Sequence, residues 1–218
     1  MKPRILDLFC GAGGAARGYQ RAGFYVVGVD IKPQPRYAGD EFIQADAMTF
    51  PLDGFDAIHA SPPCQRYSRC TPPAKRGNHA DLIDPTRNGL VGSGLPYVIE
   101  NVPGAPLRDF VVLCGSSFGL KVRRHRLFET NFPLLALPCN HCAQGVPVGV
   151  YGGGTGKGQK RGRKVMSSAE AIEVMGMPWA NRAEVTQAIP PAYTEYIGRQ
   201  LLAIINKEPA SALNNASR

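Results

Sequence analysis

Residues 4–9, RILDLF, form a short apolar run that empties into a turn holding Gly11, Gly13 and Gly14; AARGYQRAG (15–23) then shows helical spacing and a glycine stop. A strand that feeds a glycine turn and then a helix brings backbone amides close to a ligand, so the motif favours a doubly wound α/β architecture. The alternation continues. YVVGVD (25–30) ends in an acid, QADAM (44–48) follows a further strand-like stretch, and FDAIHA (55–60) and PYVIEN (96–101) are strand candidates with polar ends. Strands alternating with helices predict a mostly parallel sheet with helices on both faces and ligands gathered beyond the carboxyl ends of the strands.

A chain of 218 residues with 44% hydrophobic content can bury one main core without staples. The N-terminus runs straight into PRILDLF with no basic-then-apolar leader, so a reducing, cytoplasmic setting is expected. The six cysteines then read as packing, catalytic or metal-binding groups before disulfides. No apolar run approaches a membrane span. The formal net charge of +8 suits a polyanionic partner, and equally a solvated basic surface.

Organisation follows composition. Residues 1–130 read as a catalytic core, and 131–168 as a small basic, glycine-rich insertion containing YGGGTGKGQKRGRK. Residues 169–207 read as C-terminal helices completing the core, and 208–218 as a disordered tail. Ser168 is a candidate cap, and Pro190-Pro191 must precede the last helix.

Asp30 closes the second strand, where a carboxylate can accept both hydroxyls of a ribose, and Asp46 follows the third. With the glycine turn these acids suggest an adenosine-bearing cofactor, although either could simply cap a helix. In SPPCQ, Pro62 and Pro63 end a strand and hold Cys64 at its carboxyl end, where a merely buried thiol has little reason to be. Glu100-Asn101-Val102 ends the next apolar strand, so the Glu100 carboxylate can face that thiol across a crevice. A thiolate beside a carboxyl group, over an adenosyl cofactor, suits attack on an electron-poor ring with acid assistance at a ring nitrogen.

DLFCGAGG, SPPCQ, ENV, RRHRLF (123–128) and AIPPAYTEYIG (188–198), in this order, resemble the ordered motifs of the DNA cytosine-5 methyltransferase family in its compact phage and prophage form. The resemblance spans residues 4 to 204 apart from the basic insertion. It implies a Rossmann-like S-adenosylmethionine-dependent methyltransferase fold with a very small target-recognition insertion. It also implies methylation of C5 of a flipped cytosine in double-stranded DNA through a covalent bond from Cys64 to C6. Glu100 would hold N3 and the exocyclic amine, Arg124 and Arg126 would contact the ring and the cysteine region, and Asn101 would brace the loop of Cys64. Phe9, Gly11, Gly13, Asp30, Ile31, Asp46, Pro62 and Gln187 would line the S-adenosylmethionine site. Gln65, Arg66 and Tyr67, with Lys157, Lys160, Arg161 and Arg163 of the insertion, would meet DNA. A monomer in a bacterial host cell is expected.

Read without the resemblance, the RRHR arginines fit a solvated basic face equally well. The chain also departs from the family pattern. Val122 stands where the family usually has glutamine, Thr186-Gln187-Ala188-Ile189 where it has Gly-Asn-Ala-Val, and the recognition segment is much shorter. RNA as substrate, a silent DNA-binding relative and transfer of a modified group therefore stay open as alternatives. GGGTGKGQ lacks the first glycine and the final Ser or Thr of a phosphate-binding loop, which excludes a nucleoside triphosphate site there. No metal is expected, because no second Cys-x-x-Cys or histidine pair follows PCNHC; a zinc ion, if held, would take Cys139, His141 and Cys142, with a fourth ligand from Cys114 or elsewhere.

Overall fold

Runs of apolar residues without polar alternation are the mark of parallel strands covered on both faces, and the computed structural model, which describes residues 1–150 and 167–206, is built from them. In chain order the elements are β1 (Arg4–Leu8), α1 (Gly14–Ala22), β2 (Tyr25–Asp30), β3 (Glu41–Gln44) and β4 (Ala57–Ala60). Next come α2 (Pro73–Arg76), α3 (Ile83–Ser93), β5 (Tyr97–Asn101), β6 (Val111–Leu113), a 3₁₀ turn (Gly115–Phe118) and β7 (Arg126–Thr130). The chain then forms α4 (His141–Gln144), α5 (Ser168–Met175), α6 (Arg182–Gln187) and α7 (Pro191–Ile205). The expected α/β fold is thus present.

The sheet order is β3-β2-β1-β4-β5-β7-β6. β1 to β5 pair in parallel, and β7 is antiparallel to both β5 and β6. Because side chains alternate along a strand, each strand feeds two cores. Ile5, Val26, Ala57, Val98 and Phe128 pack with Ala16 and Tyr19 of α1 and with Tyr193, Ile197 and Leu201 of α7. Leu6, Val27, Ile58, Ile99 and Leu127 pack on the other face with Ile83 and Leu90 of α3.

The C-terminal helices divide between two jobs. Only α7 joins the main core, while α5 and α6 form a third cluster with Val122 and Val150 through Ala171, Met175 and Val185. The N-cap of α5 is Ser167, one residue before the expected Ser168; its hydroxyl accepts from the Glu170 amide while Glu170 reaches back to the Ser167 amide. Pro191 opens α7 at its first turn, as the double proline requires. Lys157, Lys160, Arg161, Arg163 and the tail 208–218 lie outside the described residues.

α7 lies close against α1, and Gly18 makes this possible. A Cβ at Gly18 would overlap Thr194 Oγ1 and the Pro191 carbonyl oxygen. Backbone and a fully buried threonine cannot yield there. Gly18→Ala should therefore destabilise the protein by about 1–3 kcal/mol despite the better helix propensity of alanine, read as a lower midpoint in urea unfolding with an unchanged slope.

Candidate functional site

The face of the sheet covered by α1 and α7 turns polar at the carboxyl ends of its strands. Asp7 of β1 lies between Gly28 of β2 and His59 of β4, and Glu100 comes from β5. All three polar side chains are buried. His59 bridges Tyr19 Oη and Ser61 Oγ at 3.0 Å each, and burial drives its pKa down to about 3. Among the described residues neither Asp7 carboxyl oxygen has a hydrogen-bond partner, and burial together with the nearby Asp30 and Glu100 raises its pKa well above the usual carboxylate range.

Beyond this row sits the thiol. Cys64 follows β4 directly, and the chain there is fastened from β5, where Asn101 Nδ2 donates to the Pro62 carbonyl oxygen at 2.9 Å. The antiparallel return of β7 sets Arg126 diagonally across from Glu100 on the same face, and Arg126 Nε meets Glu100 Oε1 at 2.9 Å. Burial still holds the Glu100 pKa above its ordinary value, against the pull of Arg126, Ser61 and Arg124. The Cys64 pKa is likewise raised, first by burial and then by Glu100, while Arg126, the local backbone and Arg124 work in the opposite sense. A thiol, a buried carboxyl group and two guanidinium groups therefore lie close together beyond the strand ends.

Arg124 has a left-handed backbone with φ of 38° and donates to the Val150 and Thr186 carbonyl oxygens at 2.8 and 2.7 Å. Its expected place beside the cysteine thus comes with a structural task, tying the arginine loop to the segment before α7. Buried Tyr193 of α7 adds its hydroxyl, 2.9 Å from the Arg124 carbonyl oxygen. Although Val122 replaces the expected glutamine, a glutamine from further along braces the same loop. Gln144 Nε2 donates to the Leu120 and Val122 carbonyl oxygens, and its Oε1 accepts from Arg123 Nε.

On the cofactor side the three glycines separate by purpose. Gly14 is closed off by the Ile189 carbonyl and Ala188, and Gly13, with φ of 80°, by Ala38 and Tyr37. Gly11 alone has open space where a side chain would stand. Its amide donates to Asp30 Oδ2 at 3.0 Å, and Asp30 Oδ1 accepts from the Lys32 amide. Next to Asp30, Ile31 is an exposed large apolar side chain. Phe9, half-buried at φ of 58°, begins the turn, and Asp46 makes a local turn through the Met48 amide. Neither acid caps a helix. An open cradle of main chain, a carboxylate and an exposed apolar side chain at adjacent strand ends fit an adenosyl group. Gln187 is exposed at the end of α6.

Of the loop residues after Cys64, Gln65 is exposed. Arg66 is turned back onto the His79 carbonyl and toward Asp81, and Tyr67 packs against the second core, so neither projects freely as the sequence suggests. Sequence reasoning misses Asp7, His59 and Ser61; a polar residue at the next-to-last position of an apolar strand is the signal that finds Asp7 and His59.

The fold is that of Rossmann-like methyltransferases. Among solved structures, a candidate DNA modification methyltransferase encoded within an E. coli prophage is similar, with a TM-score of 0.62 at 15% identity, covering 94% of this chain and 100% of its own. Two Dnmt2 proteins are similar as well. That of Schizosaccharomyces pombe (S. pombe) has a TM-score of 0.59 at 13% identity, and the Spodoptera frugiperda protein 0.58 at 14%, each covering 94% of this chain and 100% of its own. No protein-family model and no curated protein matches the sequence.

The buried imidazole makes a pH prediction. Below its ordinary pKa the unfolded chain binds a proton that the folded His59 refuses until about pH 3, so its contribution is complete above about pH 6.5 and is lost as pH falls. From about pH 6 to about pH 4, unfolding free energy should drop more steeply in wild type than in His59→Gln, by about 1.4 kcal/mol per pH unit. Urea titrations at each pH read the difference.

Proposed function

We propose that this protein methylates C5 of cytosine in double-stranded DNA, with S-adenosylmethionine as donor. One observation carries the reading: Cys64 is held beyond a strand end by the Asn101 bond to Pro62, within electrostatic reach of the Glu100–Arg126 pair. That combination serves nucleophilic attack on a ring that must be made electron-poor as the new bond forms. It has no obvious use in a protein that only binds.

The residues divide the work. The Cys64 thiol, its pKa raised by burial and by Glu100, gives its proton to water as the base enters and bonds through sulfur to C6; once C5 carries the methyl group, water takes the C5 proton and the C6–S bond breaks to free Cys64. Glu100, whose burial favours the protonated form, donates to N3 and accepts from the exocyclic amine, so negative charge entering the ring is met by a positioned proton. Arg126 keeps the Glu100 carboxyl fixed and lends positive charge to the recess. Arg124, anchored at Val150 and Thr186, adds a second fixed charge. Asn101 keeps the Pro62–Cys64 turn in place. Asp30, Ile31, Phe9, Asp46 and the Gly11 turn would hold S-adenosylmethionine, which supplies an electrophilic methyl group. Extrusion of the base costs a few kcal/mol, which contacts in the recess offset. The formal net charge of +8 favours a phosphate backbone.

The adduct test addresses nucleophile, substrate and donor together. A duplex with 5-fluorocytosine in varied contexts, incubated with S-adenosylmethionine, should trap wild-type protein as a denaturation-stable species one methyl heavier than protein plus DNA, since fluorine cannot leave as a proton does. Cys64→Ser should give none. Folded wild-type protein that binds the cofactor but traps on no DNA overturns the DNA reading, and trapping on the matching RNA moves the substrate to RNA.

A further inference from the structure

Four side chains from separate places in the sequence converge on the outer side of the arginine loop, and methyl transfer uses none of them. Cys114 follows β6, His125 stands between Arg124 and Arg126, and Cys139 and His141 come from the segment entering α4. One ligand atom from each lies within 4.8 Å of every other. Cys114 Sγ is 3.3 Å from His141 Nε2, and Cys139 Sγ is 3.5 Å from His125 Nε2. The two imidazole rings meet edge to face at 5.2 Å.

We propose that Cys114, His125, Cys139 and His141 bind a structural zinc ion. With Zn–S of about 2.3 Å and Zn–N of about 2.0 Å, a tetrahedral site spaces its ligand atoms by roughly 3.3–3.8 Å, which the observed separations approach. Two thiolates and two imidazoles give a neutral complex that fills all four positions, so the site is closed and structural, not catalytic. The donor set excludes calcium and magnesium, which take oxygen ligands. Further contacts orient the ligands. Ser116 Oγ lies 3.1 Å from Cys114 Sγ and accepts from the Asn140 amide, between Cys139 and His141. Cys142 is exposed and takes no part, so the ligand set differs from the Cys139, His141 and Cys142 grouping that local spacing favours.

The location gives the ion a task. Residues 131–145 run across the surface with a single four-residue helix, α4, and that helix has no buried residue. A zinc ion ties this segment to the end of β6 and, through His125, to the loop that carries Arg124 and Arg126. The ion is thus a positioning element for the recess of Cys64. The metal site stands without the methyl-transfer reading; only its effect on the arginines rests on it.

Zinc content and spectroscopy test the site, and adduct formation tests the positioning. Protein purified under reducing conditions without chelator should carry one zinc ion per chain. Cobalt exchanged into it should show thiolate-to-cobalt charge transfer and the intense visible bands of a tetrahedral site. Cys142→Ser should keep both signals, while Cys139→Ser and His141→Gln should weaken metal affinity by more than about 100-fold, beyond the usual loss from an outer-shell change. The zinc and cobalt measurements are made first on wild type, so they do not depend on any variant folding. Absence of zinc with no cobalt uptake overturns the proposal, as does a Cys114–Cys139 disulfide in its place. Loss of the cobalt bands in Cys142→Ser, but not in Cys114→Ser, overturns the ligand assignment. Removal of zinc from wild type should slow 5-fluorocytosine trapping at least about 10-fold; unchanged trapping by metal-free, folded protein overturns the positioning role.

Discussion

A carboxyl group buried at the end of a central strand is costly unless a cation or a proton accompanies it. Glu100 has the cation, a guanidinium 2.9 Å away, while burial holds its pKa above the ordinary value. Much of the surrounding architecture serves that pairing. β7 must run antiparallel so that Arg126 falls diagonally across from Glu100. The loop before β7 must turn sharply, which Arg124 does at positive φ, and its carbonyls must be met, which Tyr193 does from α7. α7 reaches that position because Pro190 and Pro191 start it there and Gly18 lets it close on α1. A double proline far along the chain is in this sense part of the carboxyl site.

The polar row behind the pair follows a different logic. Asp7 and His59 are neighbours in register on strands that otherwise carry only apolar side chains toward the α1–α7 core. His59 is satisfied by Tyr19 and Ser61, so its burial costs little at neutral pH. Among the described residues Asp7 has no hydrogen-bond partner, and neither does the Tyr37 hydroxyl nearby. Two polar groups without partners among the described residues, near Gly28 of β2, leave this end of the sheet less stable than an apolar core would, a pattern more at home beside a ligand site than in a scaffold.

Strand ends are legible along this chain because parallel strands are apolar throughout, so a carboxylate or cysteine at the end of such a run stands out. Asp30, Cys64 and Glu100 are readable for that reason. The three glycines are not separable in the same way, since neither the packing of Tyr37 against Gly13 nor that of Ile189 against Gly14 is visible along the chain. Asp7 and His59 sit one place before the ends of such runs, where only their polarity within an apolar strand marks them. Along the chain Arg66 and Tyr67 read only as loop residues, whereas the fold turns Arg66 onto the His79 carbonyl and packs Tyr67 against the second core. His125 is concealed within RRHR, where charge dominates the reading. Local spacing selects Cys142 and offers Cys114 only as one choice of fourth ligand, whereas the tertiary fold sets Cys114 and His125 beside Cys139 and His141.

The two halves of the recess are therefore held by different forces. The cofactor half is shaped by main chain and close packing, where Gly13 and Gly14 admit almost no side-chain volume and Gly11 leaves a gap. Packing of this kind is insensitive to salt and nearly insensitive to pH. The half that would receive a base depends on charges and on hydrogen bonds to loop carbonyls, at Arg124, Arg126 and Gln144. Those loops have little apolar burial of their own, because residues 131–145 contribute little beyond Phe132 to any core. A segment so thinly anchored can keep two guanidinium groups within hydrogen-bond tolerance of their targets only if something other than hydrophobic burial fixes it. Four convergent soft and nitrogen ligands, His125 among them, are the natural means.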